Sequence, residues 1–198
     1  MNNLLFASKN KGKITEVTEI FSTEGIKILS LIGLDFPKII ENGSTFEANA
    51  KIKAKTVFDD LRIPVISDDS GLEVAQLDGH PGVFSARYAG EYASDQENNE
   101  KLLNNLKNFD EPHFAKYVCA AVYYDGKNYF STHGEVKGKI VGKGRGSNGF
   151  GYDPYFILEG YELTMAELSL YEKNIISHRS KAFNELIKII TNRNLYEK

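Results

Sequence analysis

Ile63-Pro64-Val65-Ile66-Ser67-Asp68-Asp69-Ser70-Gly71 is the stretch on which the reading of this chain turns. Its apolar start predicts a short buried strand, and at the end of that strand stand two adjacent carboxylates followed by a Ser-Gly turn. Side chains alternate across a strand, so Asp68 and Asp69 are expected to point in different directions. One can hold a divalent cation while the other orients a water or a cationic side chain. Mg²⁺ favours oxygen ligands and often takes one or two carboxylates plus substrate phosphates. The competing reading is a solvated turn with an Asp cap, because Asp, Ser and Gly are the usual turn residues.

Upstream, residues 4–7 read as a first strand. The polar loop Ser8-Lys9-Asn10-Lys11-Gly12-Lys13 follows, and then Ile14, Val17, Ile20 and Phe21 recur at helical spacing. Residues 26–29 predict a second strand. Ser44 with Glu47 has the capping-box pattern, and the helix it opens is expected to reach about Asp60. Downstream, Ser94 with Glu97 repeats that pattern ahead of Leu102, Leu103 and Leu106. Strands over 114–124 and 127–132 flank Asp125-Gly126, a tight-hairpin signal, and 136–141 extends that sheet. A glycine-rich loop, Gly142 to Gly151, precedes a further apolar stretch at 155–158, and a last helix is expected from about Ser177 to Asn192. Crossover units combined with a hairpin predict an α/β protein with a mixed β-sheet flanked by helices.

Composition narrows the classes. A chain of 198 residues with 41% hydrophobic and 26% charged residues is ordinary for a globular protein with one substantial core or two small lobes. The formal charge of −3 argues against a nonspecific nucleic-acid binder, which carries a basic field. The single cysteine, Cys119, has no partner for an internal disulfide and sits in an apolar run, which reads as core in a reducing compartment. The start of the chain is too short and uncharged for a secretory signal, and no apolar stretch approaches the ~20 residues needed to span a bilayer. A cytoplasmic protein without membrane partners is expected.

Several residues stand where folding alone explains them poorly. The 8–13 loop lies before a helix N-terminus, where free N–H groups and the dipole suit phosphate. Ser8 and Asn10 can donate hydrogen bonds and Lys13 adds charge, yet three lysines there oppose the dipole unless an anion is near. The alternative is solvated lysines with Ser8 or Asn10 capping the helix. On the next helix, Phe46, Ala50, Ala54, Val57 and Leu61 form one face, and at ~100° per residue Lys53 falls within it. Such a lysine snorkels, pairs with a carboxylate (Asp68 or Asp69) or meets an anion. In the last helix Arg179 projects from the face of Ala182, Phe183, Leu186, Ile187, Ile189 and Ile190, with His178 at its margin. Arg179 suits a ligand's carbonyl, carboxylate or phosphate, or a buried ion pair; His178 reads otherwise as a cap or packing residue. In the glycine loop, Phe150 or Tyr152 can stack on a base and Asp153 can accept from a ring N–H.

Six segments in this order resemble the inosine triphosphate pyrophosphatase family. They are Ser8 to Lys13, Thr45 to Ala50, Ser67 to Leu72, Pro81 to Tyr88, Gly149 to Pro154 and Ile176 to Arg179. The resemblance implies a single domain over 1–198, with an elongated mixed sheet and two lobes around a central cleft, and a homodimer. It implies Mg²⁺-dependent hydrolysis of noncanonical purine nucleoside triphosphates (dITP, ITP, XTP) to monophosphate and pyrophosphate, which keeps them out of DNA and RNA. By the same resemblance, Ser8, Lys9, Asn10, Lys11, Gly12 and Lys13 hold the triphosphate. Glu41 and Asp69 hold the metal, Asp69 activates water, and Lys53 and Asp68 support that centre. Ser70 contacts the nucleotide, and Phe150, Gly151, Tyr152, Asp153, Lys173, His178 and Arg179 frame the base. Ala48 beside Glu47 departs from the two adjacent acids of many relatives. A Maf-like nucleotide pyrophosphatase and a noncatalytic nucleotide sensor are the alternatives; the His178-Arg179 pair and the Phe150-Gly151-Tyr152-Asp153 stretch argue against the first, and the retained Asp68, Asp69 and Lys53 against the second.

Overall fold

The computed structural model describes residues 3–193. Its elements are β1 (Asn3–Phe6), α1 (Lys11–Ser22), β2 (Lys27–Ser30), α2 (Phe46–Leu61), β3 (Val65–Val74), α3 (Asp95–Leu106), β4 (His113–Tyr124), β5 (Tyr129–Ile140), β6 (Phe156–Leu158), α4 (Leu170–Ile176) and α5 (His178–Arg193). The strands form one sheet in the order β2-β1-β3-β4-β5-β6. Crossovers through α1 and α2 make β1 parallel to both neighbours, with Leu5 opposite Leu29 on one side and Val65 on the other. At the far end β5 and β6 are antiparallel. The sheet is therefore mixed and helix-flanked, as the sequence predicts. No helix among the described residues is long and apolar enough to cross a membrane.

The chain divides into two compact units, one of residues 3–69, 119–134 and 179–193, the other of residues 70–118 and 135–178. In the first, strand alternation sorts side chains into two cores. Leu4, Phe6 and Ile66 meet Val17, Ile20 and Phe21 of α1 and Ala182, Phe183 and Leu186 of α5. The intervening residues Leu5, Ala7 and Val65 meet Ala50, Ala54 and Val57 of α2. Phe183 anchors α5 by edge-on contacts to Phe6 and Phe21, at 5.8 and 5.6 Å between centroids. In the second unit Leu72, Leu102, Leu106, Tyr117, Ile140, Tyr152 and Phe156 share one core. There β5 and β6 approach so closely at Gly138 that an added Cβ would lie 2.1 Å from the Ile157 carbonyl oxygen.

Four local expectations need correction. The two acids do not end a strand: β3 runs on through Ser70 and Gly71 to Val74, because Leu72 and Val74 continue its buried face. Thr45, not Ser44, caps α2 by accepting from Ala48 N at 3.1 Å. Glu47 therefore stands at the second helical position, without the reach-back of a capping box, and pairs with Lys51 at 2.6 Å and His133 at 3.3 Å. The hairpin loop is longer than Asp125-Gly126, since Asp125 Oδ1 accepts from both Lys127 N and Asn128 N. Ile189 is 36% exposed and lies off the buried stripe of α5. The Ser94–Glu97 capping box of α3 is present, and a second, Ser169–Glu172, opens α4, which sequence periodicity did not reveal.

Candidate active site

In the first unit β3 presents Asp68 and Asp69 to opposite partners. Asp68 is 1% exposed and accepts from Lys13 Nζ at 3.2 Å and Arg179 Nε at 3.2 Å. Burial opposes its charge, but Lys13, Arg179 and Lys53 outweigh that and hold its carboxyl well below the usual carboxylate range. Arg179 also donates through Nη1 to Glu16 of α1, a residue as buried as itself. These carboxylates keep the guanidinium charged against its own burial. The cation that α5 places at its N-terminus, against the helix dipole, is thus balanced by two anions from other elements. The same holds for Lys13 in the first turn of α1, whose ion pair is with Asp68. Cys119, also buried here, has Sγ 3.8 Å from Asp68, and burial pushes its thiol up, which makes it a packing residue.

Asp69 faces the other way. Its Oδ2 accepts from Asn49 Nδ2 at 3.0 Å, and its Oδ1 lies 3.6 Å from Lys53 Nζ. Lys53 bonds Glu41 at 2.7 Å, so Asp69 and Glu41 are its partners; Asp68 acts on it only through its field. Desolvation raises the Asp69 carboxyl above its ordinary value, with Glu41 adding to the rise and Lys53 and Lys13 only partly offsetting it. Lys53 is itself opposed by burial, yet Asp69, Glu41 and Asp68 keep it firmly protonated. The two adjacent acids are thereby shifted in opposite directions, Asp68 toward the anion and Asp69 toward holding a proton. Among the described residues no three His, Cys, Asp or Glu side chains gather as a closed metal cage. Glu41 and Asp69 nonetheless converge on one ammonium as hard oxygen donors. That donor set fits Mg²⁺, which takes one or two carboxylates and completes its shell with water and phosphate oxygens.

The 8–13 loop is organised by its own backbone. Asn10 Oδ1 caps α1 by accepting from Lys13 N at 3.0 Å, and Ser8 Oγ accepts from Asn10 N at 3.2 Å. Lys9 Nζ donates to the Phe36 carbonyl at 2.8 Å, while Lys11 and Gly12 form the first turn.

In the second unit Asp153 is the hub. It is 2% exposed and accepts from Lys173 Nζ at 2.5 Å, Tyr117 Oη at 3.2 Å and Phe150 N at 2.9 Å. Lys173 lies 5.0 Å from the Phe150 ring centroid. His178 stacks on Tyr117 at 4.7 Å between centroids and 8° between planes. Gly149, at φ +75°, permits this fold of the loop, since a Cβ there would stand 2.1 Å from Asp153 Oδ2. Tyr152 is a core residue whose hydroxyl donates to the Ser85 carbonyl at 2.8 Å, which leaves Phe150 as the half-buried ring of the loop. Gly151 is held by its backbone, and Ser70 lies half-buried on β3.

Five participants escaped the sequence reading: Glu16, Asn49, Tyr117, and Asp95 and Asn99 of α3, which hold the Gly151 N–H and carbonyl. Asn49 carries the clearest missed signal, one position before Ala50 and one turn before Lys53 on a stripe otherwise apolar. Glu16 carries the same signal beside Val17 and Ile20.

Fold and site together define an α/β protein with an acid–base centre suited to a polyanion and a hard cation. Residues 4–189 match the Ham1 family. The chain is 45% identical over 193 residues to a dITP/XTP pyrophosphatase of Bacillus subtilis, covering 96% of this chain and 98% of that one. The Staphylococcus aureus Ham1 protein superposes with a TM-score of 0.84 at 41% identity, over 97% of this chain and all of the other. A Coxiella burnetii HAM1 protein gives 0.86 at 38% identity, with the same coverage. The chain belongs to the Ham1 family.

Proposed function

We propose that this protein hydrolyses the noncanonical purine nucleoside triphosphates dITP, ITP and XTP to monophosphate and pyrophosphate, removing them before they enter nucleic acid. The observation that carries this reading is the division of Asp68, clamped by Lys13 and Arg179, from Asp69, set against Asn49 and Lys53, in a chain whose full-length relatives bear the name dITP/XTP pyrophosphatase. The α1 N-terminus, with Ser8, Asn10 and Lys13, receives the triphosphate. Asp69 takes a proton from the attacking water as its oxygen bonds to the α-phosphorus. The bond from that phosphorus to the α,β-bridging oxygen breaks, and its electron pair leaves with pyrophosphate. Lys53 balances the charge at Asp69 and Glu41, and Asp68, held by Arg179, fixes Lys13 in place. Glu41 and Asp69 would hold Mg²⁺, which when bound offsets phosphate charge. Phe150, Lys173 and His178 frame the base, and Ser70 contacts the nucleotide. The same reading includes a homodimer acting in the cytoplasm as one two-lobed domain.

The deciding assay follows dITP, XTP, dGTP, dATP and dTTP with Mg²⁺ present and absent, scoring pyrophosphate separately from orthophosphate. The expected result is Mg²⁺-dependent pyrophosphate release with strong preference for dITP and XTP. Orthophosphate would mean attack at a terminal phosphate, and dITP binding without turnover would make the protein a sensor; either result overturns the reading.

A further inference from the structure

Helix α3 takes no part in the proposed bond cleavage, yet two of its side chains grip one residue of the glycine-rich loop, one through the Phe150–Gly151 peptide and the other through the Gly151–Tyr152 peptide. Asp95 Oδ2 accepts from Gly151 N at 2.6 Å, and Asn99 Nδ2 donates to the Gly151 carbonyl at 2.8 Å. The two residues are four apart on the helix, so they project from one face and meet Gly151 as a pair. The Asp95 bond is charge-assisted, the stronger kind of contact to a backbone N–H. Asn99 is 5% exposed, and its amide orientation is fixed because Nδ2 serves two carbonyls, those of Asp95 and Gly151. Its Oδ1 is buried and accepts no hydrogen bond among the described residues. Leaving a buried acceptor unsatisfied is a cost that α3 stability does not explain.

Gly151 follows Phe150 directly, and no Cβ contact restrains it. At φ +62° its backbone occupies the left-handed region open to glycine, and the peptides on either side of it are held by outside partners. Turning the Phe150–Gly151 peptide would shift Phe150, whose own N–H is held by Asp153, while Tyr152 stays pinned by Ser85 and Asp153 by Lys173.

We infer that Asp95 and Asn99 are positioning residues that set the Phe150 ring against the purine base, and so govern base affinity and selection rather than bond cleavage. The inference rests on the reading that Phe150 frames the base. A misplacement of about 1 Å in such a positioning element changes rate constants by as much as 10²-fold.

The test compares Asp95→Ala, Asn99→Ala, Asp95→Asn and Glu97→Ala in the full chain. Asp95→Asn keeps an acceptor for Gly151 N, and Glu97→Ala removes the carboxylate that accepts from Ser94 N and Oγ without touching the loop. Two readouts are taken: exchange of the Gly151 amide in nucleotide-free protein, and kcat and KM for dITP and dGTP. Asp95→Ala and Asn99→Ala are expected to speed Gly151 exchange, raise KM for dITP about tenfold and narrow the dITP/dGTP ratio, with kcat within about threefold. Asp95→Asn is expected to restore KM, and Glu97→Ala to leave it unchanged. Faster Gly151 exchange with an unchanged KM overturns the positioning role while the proposed function stands. So does a fall in kcat at constant KM, or a KM change matched by Glu97→Ala. Absence of pyrophosphate release by the unsubstituted protein overturns the proposed function itself, and the inference with it.

Discussion

A single step along β3 moves a carboxylate from a site lined by Lys13 and Arg179 to one where desolvation outweighs its cations. The consequence for Asp69 is a pH dependence of definite sign. In the metal-free protein the fold raises that carboxyl above its ordinary value, so Asp69 titrated without Mg²⁺ should lie above the ordinary aspartate range and fall when Mg²⁺ is added. Carboxyl-carbon NMR from about pH 3 to 8 with and without Mg²⁺ checks this, and a value that does not move with Mg²⁺ would remove Asp69 from the metal site. Linkage gives the companion result. A carboxyl whose folded value is raised favours folding below its unfolded value and loses that contribution as pH rises through the folded one. Asp69→Asn should therefore melt no lower than the parent at pH 7 while losing roughly 10²–10⁴-fold in turnover. Turnover like the parent's would refute the assignment.

Helices are where the reading of sequence and the structure diverge by a residue or two. Ser44 and Thr45 are both plausible caps by residue type, and Thr45 wins because Phe46 opens the buried face of α2. Thr45→Ala should cost about 1 kcal/mol in urea denaturation, and Ser44→Ala only a few tenths. Equal effects would mean that the cap is misassigned. Much of α2 was legible, because apolar spacing located its face and showed Lys53 to be misplaced on it. The partner of Lys53 was not legible. Glu41 precedes the helix by a loop of irregular backbone, and no periodicity fixes where that loop brings its carboxylate.

Across the molecule, Arg179 ties α5 to α1 through Glu16 and to β3 through Asp68, joining segments far apart in sequence. Removing one partner of a buried ion pair leaves the others uncompensated, so Arg179→Met should lower unfolding free energy by ~3–5 kcal/mol at neutral pH. A chemical melt showing a loss under ~1 kcal/mol would mean that the network is relaxed by water. The Asp68 carboxyl, lowered in the fold, contributes stability that is complete above its unfolded value and fades as pH falls through the folded one. The difference between the parent and Arg179→Met should accordingly shrink in strong acid. By itself the sequence determined the crossover units, the misplaced cations Lys13, Lys53 and Arg179, and the adjacency of Asp68 and Asp69. Those features are local, set by periodicity, side-chain alternation and residue type. Only the tertiary structure decided which carboxylate each cation meets, that Arg179 is clamped by Glu16 and Asp68, and that Tyr152 is core while Phe150 is not. Burial and the distances between remote side chains set which acid stays ionised, and a linear sequence encodes those distances only through the completed fold.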